Sequence, residues 1–188
     1  PPRFDVPDKV DGSAIYGIDV KVPGMLVAVV ARPPVFGGKV ARFDATKAKA
    51  VPGVRDVIQI SSGVAVIADG YWPAHQGRAA LDVTWADGPT AAVSSASIQA
   101  LFEARAARPG AQARHDGRTD AAPTGSTMLD ATYRMPYLAH ATMEPMNCTA
   151  HVRADGVEVW APTQLQTAVQ MTGAAIGGLA GYAIGTTI

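Results

Sequence analysis

Apolar residues in this chain gather in short runs punctuated by Gly, Pro and Asp, which is the rhythm of strands and turns. In "DGSAIYGIDV" the turn pair Asp11-Gly12 precedes Ile15, Ile18 and Val20 set among polar or small neighbours, predicting turn and strand. "PGMLVAVVARPP" places a turn at Pro23-Gly24 before a continuous apolar run, 25–31, of the length expected for a buried strand. Pro33-Pro34 stops it, because neither residue can donate to a ladder. "GGKVARFDATKAKAVPGVRDVIQI" predicts strand, short helix, strand, with Asp44 as the N-cap and Pro52-Gly53 as the helix stop. Strands are expected at 54–60 and 63–69. "YWPAHQGRAALDVTW" predicts a short helix at 75–80 and a strand at 81–85.

The pattern changes at Gly88. Up to Gly125 the chain is rich in Ala, Ser, Arg and Pro, with one helix, 97–107, capped by serine and stopped by Pro109-Gly110. The remainder, "AQARHDGRTDAAPTGS", reads as an exposed connector. Strand periodicity returns in "MLDATYRMPYLAH", ending near Pro136. "CTAHVRADGVEVWAP" carries a hairpin signature around Asp155-Gly156. A helix at 164–176 and a strand at 182–188 complete the pattern, and no internal repeat is present.

The 188 residues leave room for one domain and part of another. Apolar residues make up 48% and charged residues 17%, with 14 prolines and 19 glycines, which suits a loop-rich globular protein and excludes disorder. Sixteen basic residues balance sixteen acidic ones, so no global field draws nucleic acid, and none is expected as a partner. The single cysteine, Cys148, excludes an internal disulfide framework. The chain begins at Pro1 with no basic segment leading into an apolar one, so any export signal is expected outside this piece.

The densest cluster of reactive residue types is "YLAHATMEPMNCTAH", which gathers His140, Glu144, Cys148 and His151 with Met143 and Met146. Met, Cys and His are the ligands a soft copper site would use, while packing explains Met and Cys equally well. Pro136 and Pro145 disfavour the uninterrupted helix that would bring His140 against Glu144, and no zinc spacing is present, so no metal site is expected here. A nucleophilic Cys148 would need a depressed pKa; the alternative is a buried structural thiol. His75 and His115 are expected to be solvated. Asp5, Asp8, Asp11 and Asp19 are spaced for turns and caps, without the regular run a calcium loop needs.

The tail "TGAAIGGLAGYAIGTTI" is uncharged, with Gly173, Gly177, Gly181 and Gly185 four residues apart. It admits three readings: a membrane helix, a phosphate cradle, or a segment of a larger core. Small residues at this spacing suit helix packing in a bilayer, but Leu, Ile and Val are sparse and no Lys, Arg or aromatic anchors flank it. A cradle needs a following helix or basic residue, and only Thr-Thr-Ile follows the last glycine.

Two stretches carry a family resemblance. "DVPDKVDGSAIYGIDVKVPGMLVAVVARPPVFGGKV", followed by "VPGVRDVIQISSGVAVIADGYWPAHQGRAALDVTW", resembles the α/β-hammerhead domain of molybdenum hydroxylase large subunits, the xanthine dehydrogenase/aldehyde oxidase family. The nearest type is the isoquinoline 1-oxidoreductase β-subunit with its bacterial aldehyde and nicotinate dehydrogenase relatives. "YLAHATMEPMNCTAHV" with "GVEVWAPTQ" resembles the first strands of the molybdopterin-binding region that follows the hammerhead. The resemblance implies an α+β fold: a hammerhead over 1–88, a helical and Pro/Ala-rich connector over 89–126, and the N-terminal part of an incomplete molybdopterin-binding α/β domain over 127–188.

The chemistry implied is hydroxylation of an aldehyde or N-heteroaromatic carbon with oxygen drawn from water. A molybdenum–pterin cofactor, molybdopterin or its cytosine dinucleotide, would be bound mainly by parts outside this chain. Iron–sulfur clusters are expected on a small partner subunit, passing electrons to a cytochrome or other acceptor. The family's glutamate general base lies near the end of the large subunit, so catalytic residues are expected outside this chain. By type, His140, Glu144, Cys148 and Thr149 match the family's His-x-x-x-Glu strand, while Leu138 stands where xanthine dehydrogenases carry a metal-facing glutamine. Thr163 would cap the helix that follows. His140, Glu144 and Gln164 are the expected pocket wall, against the alternative that they only orient strands.

In the family the tail would be helix, glycine turn and strand, stopping where a glycine-rich cofactor loop begins. The remainder of the large subunit is therefore expected as a separate chain, with this chain inactive alone. Two other functions remain open at this point: a non-catalytic interaction module derived from the fold, and a membrane-anchored protein using the glycine-rich tail. The family resemblance would place the protein in the periplasm or at a membrane; otherwise it would be cytoplasmic.

Overall fold

The structure is a computed structural model that describes residues 3–117, 122–154, 156–177 and 182–185. In chain order its elements are α1 (Val6–Asp11), a 3-10 turn (Gly17–Asp19), β1 (Val27–Ala31), β2 (Lys39–Asp44), α2 (Thr46–Lys49), β3 (Val54–Ile60) and β4 (Gly63–Ala68). Then follow α3 (Tyr71–Ala79), β5 (Asp82–Ala86), α4 (Ser95–Ala106), β6 (Thr149–Arg153), β7 (Gly156–Trp160), α5 (Gln166–Gly177) and β8 (Tyr182–Gly185). Helices and strands are mixed, as the α+β expectation requires. The chain divides into two compact units, Leu26–Ala139 and a second made of Pro1–Met25 with His140–Ile188, so the first segment groups with the last rather than with its neighbours.

The larger unit is built on an antiparallel sheet of order β1-β4-β3. β4 lies in the centre, laddered on both edges, and Val64, Val66 and Ala68 are fully buried in it. The run at 25–31, expected to be a buried strand, is instead the edge strand β1 and is only half-buried, because it has one ladder rather than two. α3 lies close on this sheet, which requires Gly77. A Cβ there would stand 2.8 Å from Val66 Cγ1 and 2.9 Å from Val54 Cγ2. α2 adds Ala48, which joins Val57, Val64 and Val66 as the core, and Val40, Phe43, Leu81 and Val83 from the β2–β5 side pack against it.

The start of α2 is set by Asp44, whose Oδ1 accepts the Thr46 backbone N–H at 2.8 Å and the Thr46 hydroxyl at 2.6 Å. Those donors, the hydroxyl first, hold the Asp44 carboxyl below its ordinary value. α4 begins at Ser95, two residues before its expected start, because Ser94 caps it: the Ser94 hydroxyl accepts the Ser97 N–H, and the Ser97 hydroxyl accepts that of Ser94.

In the smaller unit "VPDKVD" forms α1, a helix the apolar pattern did not announce. Pro7 in its first turn and Gly12, left-handed at φ 82°, mark its ends. "DGSAIYGIDV" forms no strand: Asp19 accepts the Tyr16 N–H at 3.0 Å and closes a 3-10 turn, a local bond that competes with a ladder. β6 and β7 form the expected hairpin, with Arg153 opposite Gly156; Asp155, expected in its turn, lies outside the described residues. β7, α5 and β8 make a parallel strand–helix–strand crossover. The tail is thus helix then strand, as expected for a core segment, with 178–181 and 186–188 outside the described residues. The strand expected over 128–136 does not form, since no neighbouring strand meets its backbone.

Candidate functional site

The turn that follows Ala141, a non-glycine residue at φ 44°, carries Glu144 and Asn147, both half-buried. Glu144 Oε1 accepts the backbone N–H of Ile18 at 3.1 Å and Asn147 Nδ2 at 2.8 Å, and the same Asn147 amide donates to the Pro145 carbonyl at 2.8 Å. Asn147 Oδ1 is buried without a hydrogen-bond partner among the described residues. Gly17 is buried against this group. A Cβ at Gly17 would fall 2.8 Å from Asn147 Oδ1, 2.9 Å from Pro162 Cδ and 3.3 Å from Glu144 Oε1. Only a glycine lets the 3-10 turn approach so closely. The carboxylate of Glu144 therefore acts as a clamp between two segments 126 positions apart in sequence.

His140 and Gln164 are exposed, and no hydrogen bond among the described residues joins either to Glu144. Thr163 does act at the start of α5: its hydroxyl accepts the Leu165 N–H at 3.0 Å. Cys148 is exposed, which corrects the buried-thiol expectation. Partial desolvation pushes its thiol up, away from the thiolate a nucleophile needs. His151 lies on β6 opposite Glu158, and Arg153 Nη1 donates to Glu158 Oε2 at 2.9 Å. His75, expected to be solvated, stacks on Trp72 with ring centres 5.7 Å apart and an 8° interplanar angle. The helix there begins at Tyr71, earlier than expected, and sets the two rings on one side. His115 is exposed.

Among the described residues no group of three or more His, Cys, Asp or Glu could hold a metal ion, so Met143, Met146, Cys148 and His140 are not gathered into a copper site. Nor, among the described residues, is any helix long and apolar enough to cross a membrane. Sequence reasoning missed Asn147 and Gly17. Neither carries a local signal, since their importance comes from a contact between distant segments.

No family model matches the chain. It is 34% identical to the β-subunit of isoquinoline 1-oxidoreductase from Brevundimonas diminuta over 95% of its own length and 24% of that protein's. It is also 34% identical to a membrane-bound aldehyde dehydrogenase (pyrroloquinoline-quinone) of Gluconacetobacter polyoxogenes, over 90% of this chain and 23% of that one. The B-type polypeptide of nicotinate dehydrogenase from Pseudomonas putida is 29% identical over 87% of this chain and 14% of its own. The chain therefore spans about a quarter of the first two relatives. Among solved structures, quinoline 2-oxidoreductase of Pseudomonas putida 86 shares the fold, with a TM-score of 0.64 and 18% identity over 98% of this chain and 29% of that one.

Proposed function

As a relative of the molybdenum hydroxylase large subunits, this chain forms, we propose, the hammerhead region and the opening strands of the molybdopterin-binding region of such a subunit. The activity proposed for the completed subunit is oxidative hydroxylation of an aldehyde or N-heteroaromatic carbon with oxygen drawn from water. The 34% identity over 95% of the chain to an isoquinoline 1-oxidoreductase subunit is the observation that carries this reading. Relatives named for nicotinate and for aldehydes support the same breadth of substrate.

A molybdenum–pterin centre, as molybdopterin or its cytosine dinucleotide, would supply the redox chemistry, with iron–sulfur clusters on a small partner subunit. The described residues do not form a cradle for that centre on their own. Glu144 is engaged by Ile18 and Asn147, and no trio of ligating side chains converges. No step is therefore assigned to a residue of this chain. Its part is shape: Glu144 holds Gly17 and Ile18 against the 144–147 turn, and His140 and Gln164 become pocket wall when the remaining polypeptide is in place.

The test is to isolate the native assembly through a tag on this chain and analyse it for molybdenum and for quinone. Its oxidation of isoquinoline, nicotinate and an aldehyde is then followed in water labelled with heavy oxygen. Stoichiometric molybdenum and label in the product are expected. Quinone without molybdenum would move the reading to the cofactor named in the Gluconacetobacter relative, and absence of both would retire it.

A further inference from the structure

Residues 128–138 have the pattern of a strand and none of its pairing. Leu129, Ala131, Tyr133, Met135 and Tyr137 alternate with Asp130, Thr132, Arg134 and Pro136, so an extended backbone sets apolar groups on one face and mostly polar groups on the other. The polar face is anchored: Arg134 Nη2 and Nε donate to Glu103 Oε1 on α4 at 3.0 and 3.2 Å. The apolar face is bare, with Leu129 91%, Tyr133 84%, Met135 84% and Tyr137 73% exposed. Beside it lies a cleft of about 530 Å³ lined by Ile98, Phe102, Met135 and Tyr137, which continues the apolar surface onto α4. Among the described residues no backbone–backbone hydrogen bond involves 127–147.

We propose that 128–138 is an interface strand that adds itself to an open sheet edge of the polypeptide corresponding to the remaining three quarters of the relatives' length. Its backbone supplies the ladder, and Leu129, Tyr133, Met135 and Tyr137 face the covered side. Pro136, with no N–H to give, sits near the end of the ladder, where its loss is tolerated. The occupant follows from size. This chain accounts for 24% and 23% of relatives that match nearly all of it, so a large polypeptide is available to cover a face this apolar. The proposal rests on the reading of this chain as part of a large subunit.

Hydrogen exchange read by mass spectrometry on the chain alone and in the tag-isolated native assembly tests it. Amides of 128–138 should exchange freely alone and slow by about a hundredfold or more in the assembly. Tyr133→Asp with Met135→Asp should cut recovery of the larger polypeptide about tenfold, while Thr132→Gln on the opposite face should leave recovery within about twofold. Neither variant should shift unfolding of the isolated chain. If the larger polypeptide co-purifies and 128–138 stays unprotected, the strand is overturned and the large-subunit reading survives. If wild-type chain recovers no larger polypeptide, both fall. Protection accompanied by dimerisation of the chain alone would make the occupant a second copy and overturn the proposal.

Discussion

Val64, Val66 and Ala68 on β4 are fully buried, whereas the bulkier Leu129, Tyr133 and Met135 remain 84–91% exposed. The two stretches differ in what meets their backbones. β4 is laddered to β1 on one side and β3 on the other, with Gly77 bringing α3 close and Ala48 of α2 joining its core. The stretch at 128–138 has an anchored polar face and no strand beside it. Burying apolar surface is worth about 25 cal/mol per Å², but unpaired N–H and C=O groups carried along would cancel it at ~1–3 kcal/mol each. Hydrophobicity therefore buries a strand only where its backbone is also paired.

The largest effect that tests this contrast is a charge at its buried end. Val66→Asp should abolish the fold of the larger unit, costing more than about 4 kcal/mol, while Tyr133→Asp in the isolated chain should stay within about 0.5 kcal/mol. Urea midpoints of both variants decide it, and equal losses would break the comparison. Next comes Gly77→Ala, which gains about 1 kcal/mol in helix propensity but forces a Cβ into the space of Val66 and Val54. Overpacking of about 1–3 kcal/mol should win, leaving a net loss that Val54→Ala in the same chain partly restores.

In the smaller unit, Glu144→Ala removes the acceptor for the Ile18 N–H and Asn147 Nδ2. Faster exchange at Ile18 and a loss of about 1–2 kcal/mol are expected, with Glu144→Gln milder because one acceptor oxygen remains. Full activity of a Glu144→Gln assembly would agree with a clamp rather than an acid–base group. The smallest effect is one of pH. Thr46 holds the Asp44 carboxyl below its ordinary value, so the folded chain takes up that proton at lower pH than the unfolded chain. The contribution is complete above about pH 4 and is lost as pH falls through the lowered folded value. Thermal melts of Asp44→Asn across that range should show a shallower acid slope than wild type.

Much of the larger unit was legible residue by residue. The strands at 54–60 and 63–69, the Asp44 cap and the serine-capped helix appear close to where the pattern put them. The family was legible too, because its motifs are dense and ordered. The site was less so. The "HATMEP" stretch drew attention to Glu144, but its partners Ile18, Asn147 and Gly17 bear no mark in the sequence, and His140 and Gln164 do not join it through any hydrogen bond among the described residues. The α1 helix was missed because its apolar residues are too few to show a period, leaving only Pro7 and Gly12 as signals.

The sequence by itself determined where strands, turns and caps could form and which family the chain resembles, because those depend on neighbours within a few positions. Only the tertiary structure decided that β4 rather than β1 is central, that Glu144 holds a distant backbone, and that 128–138 goes unpaired. Each of these is a pairing between remote segments, and a ladder or a clamp exists only when both sides arrive at hydrogen-bond distance.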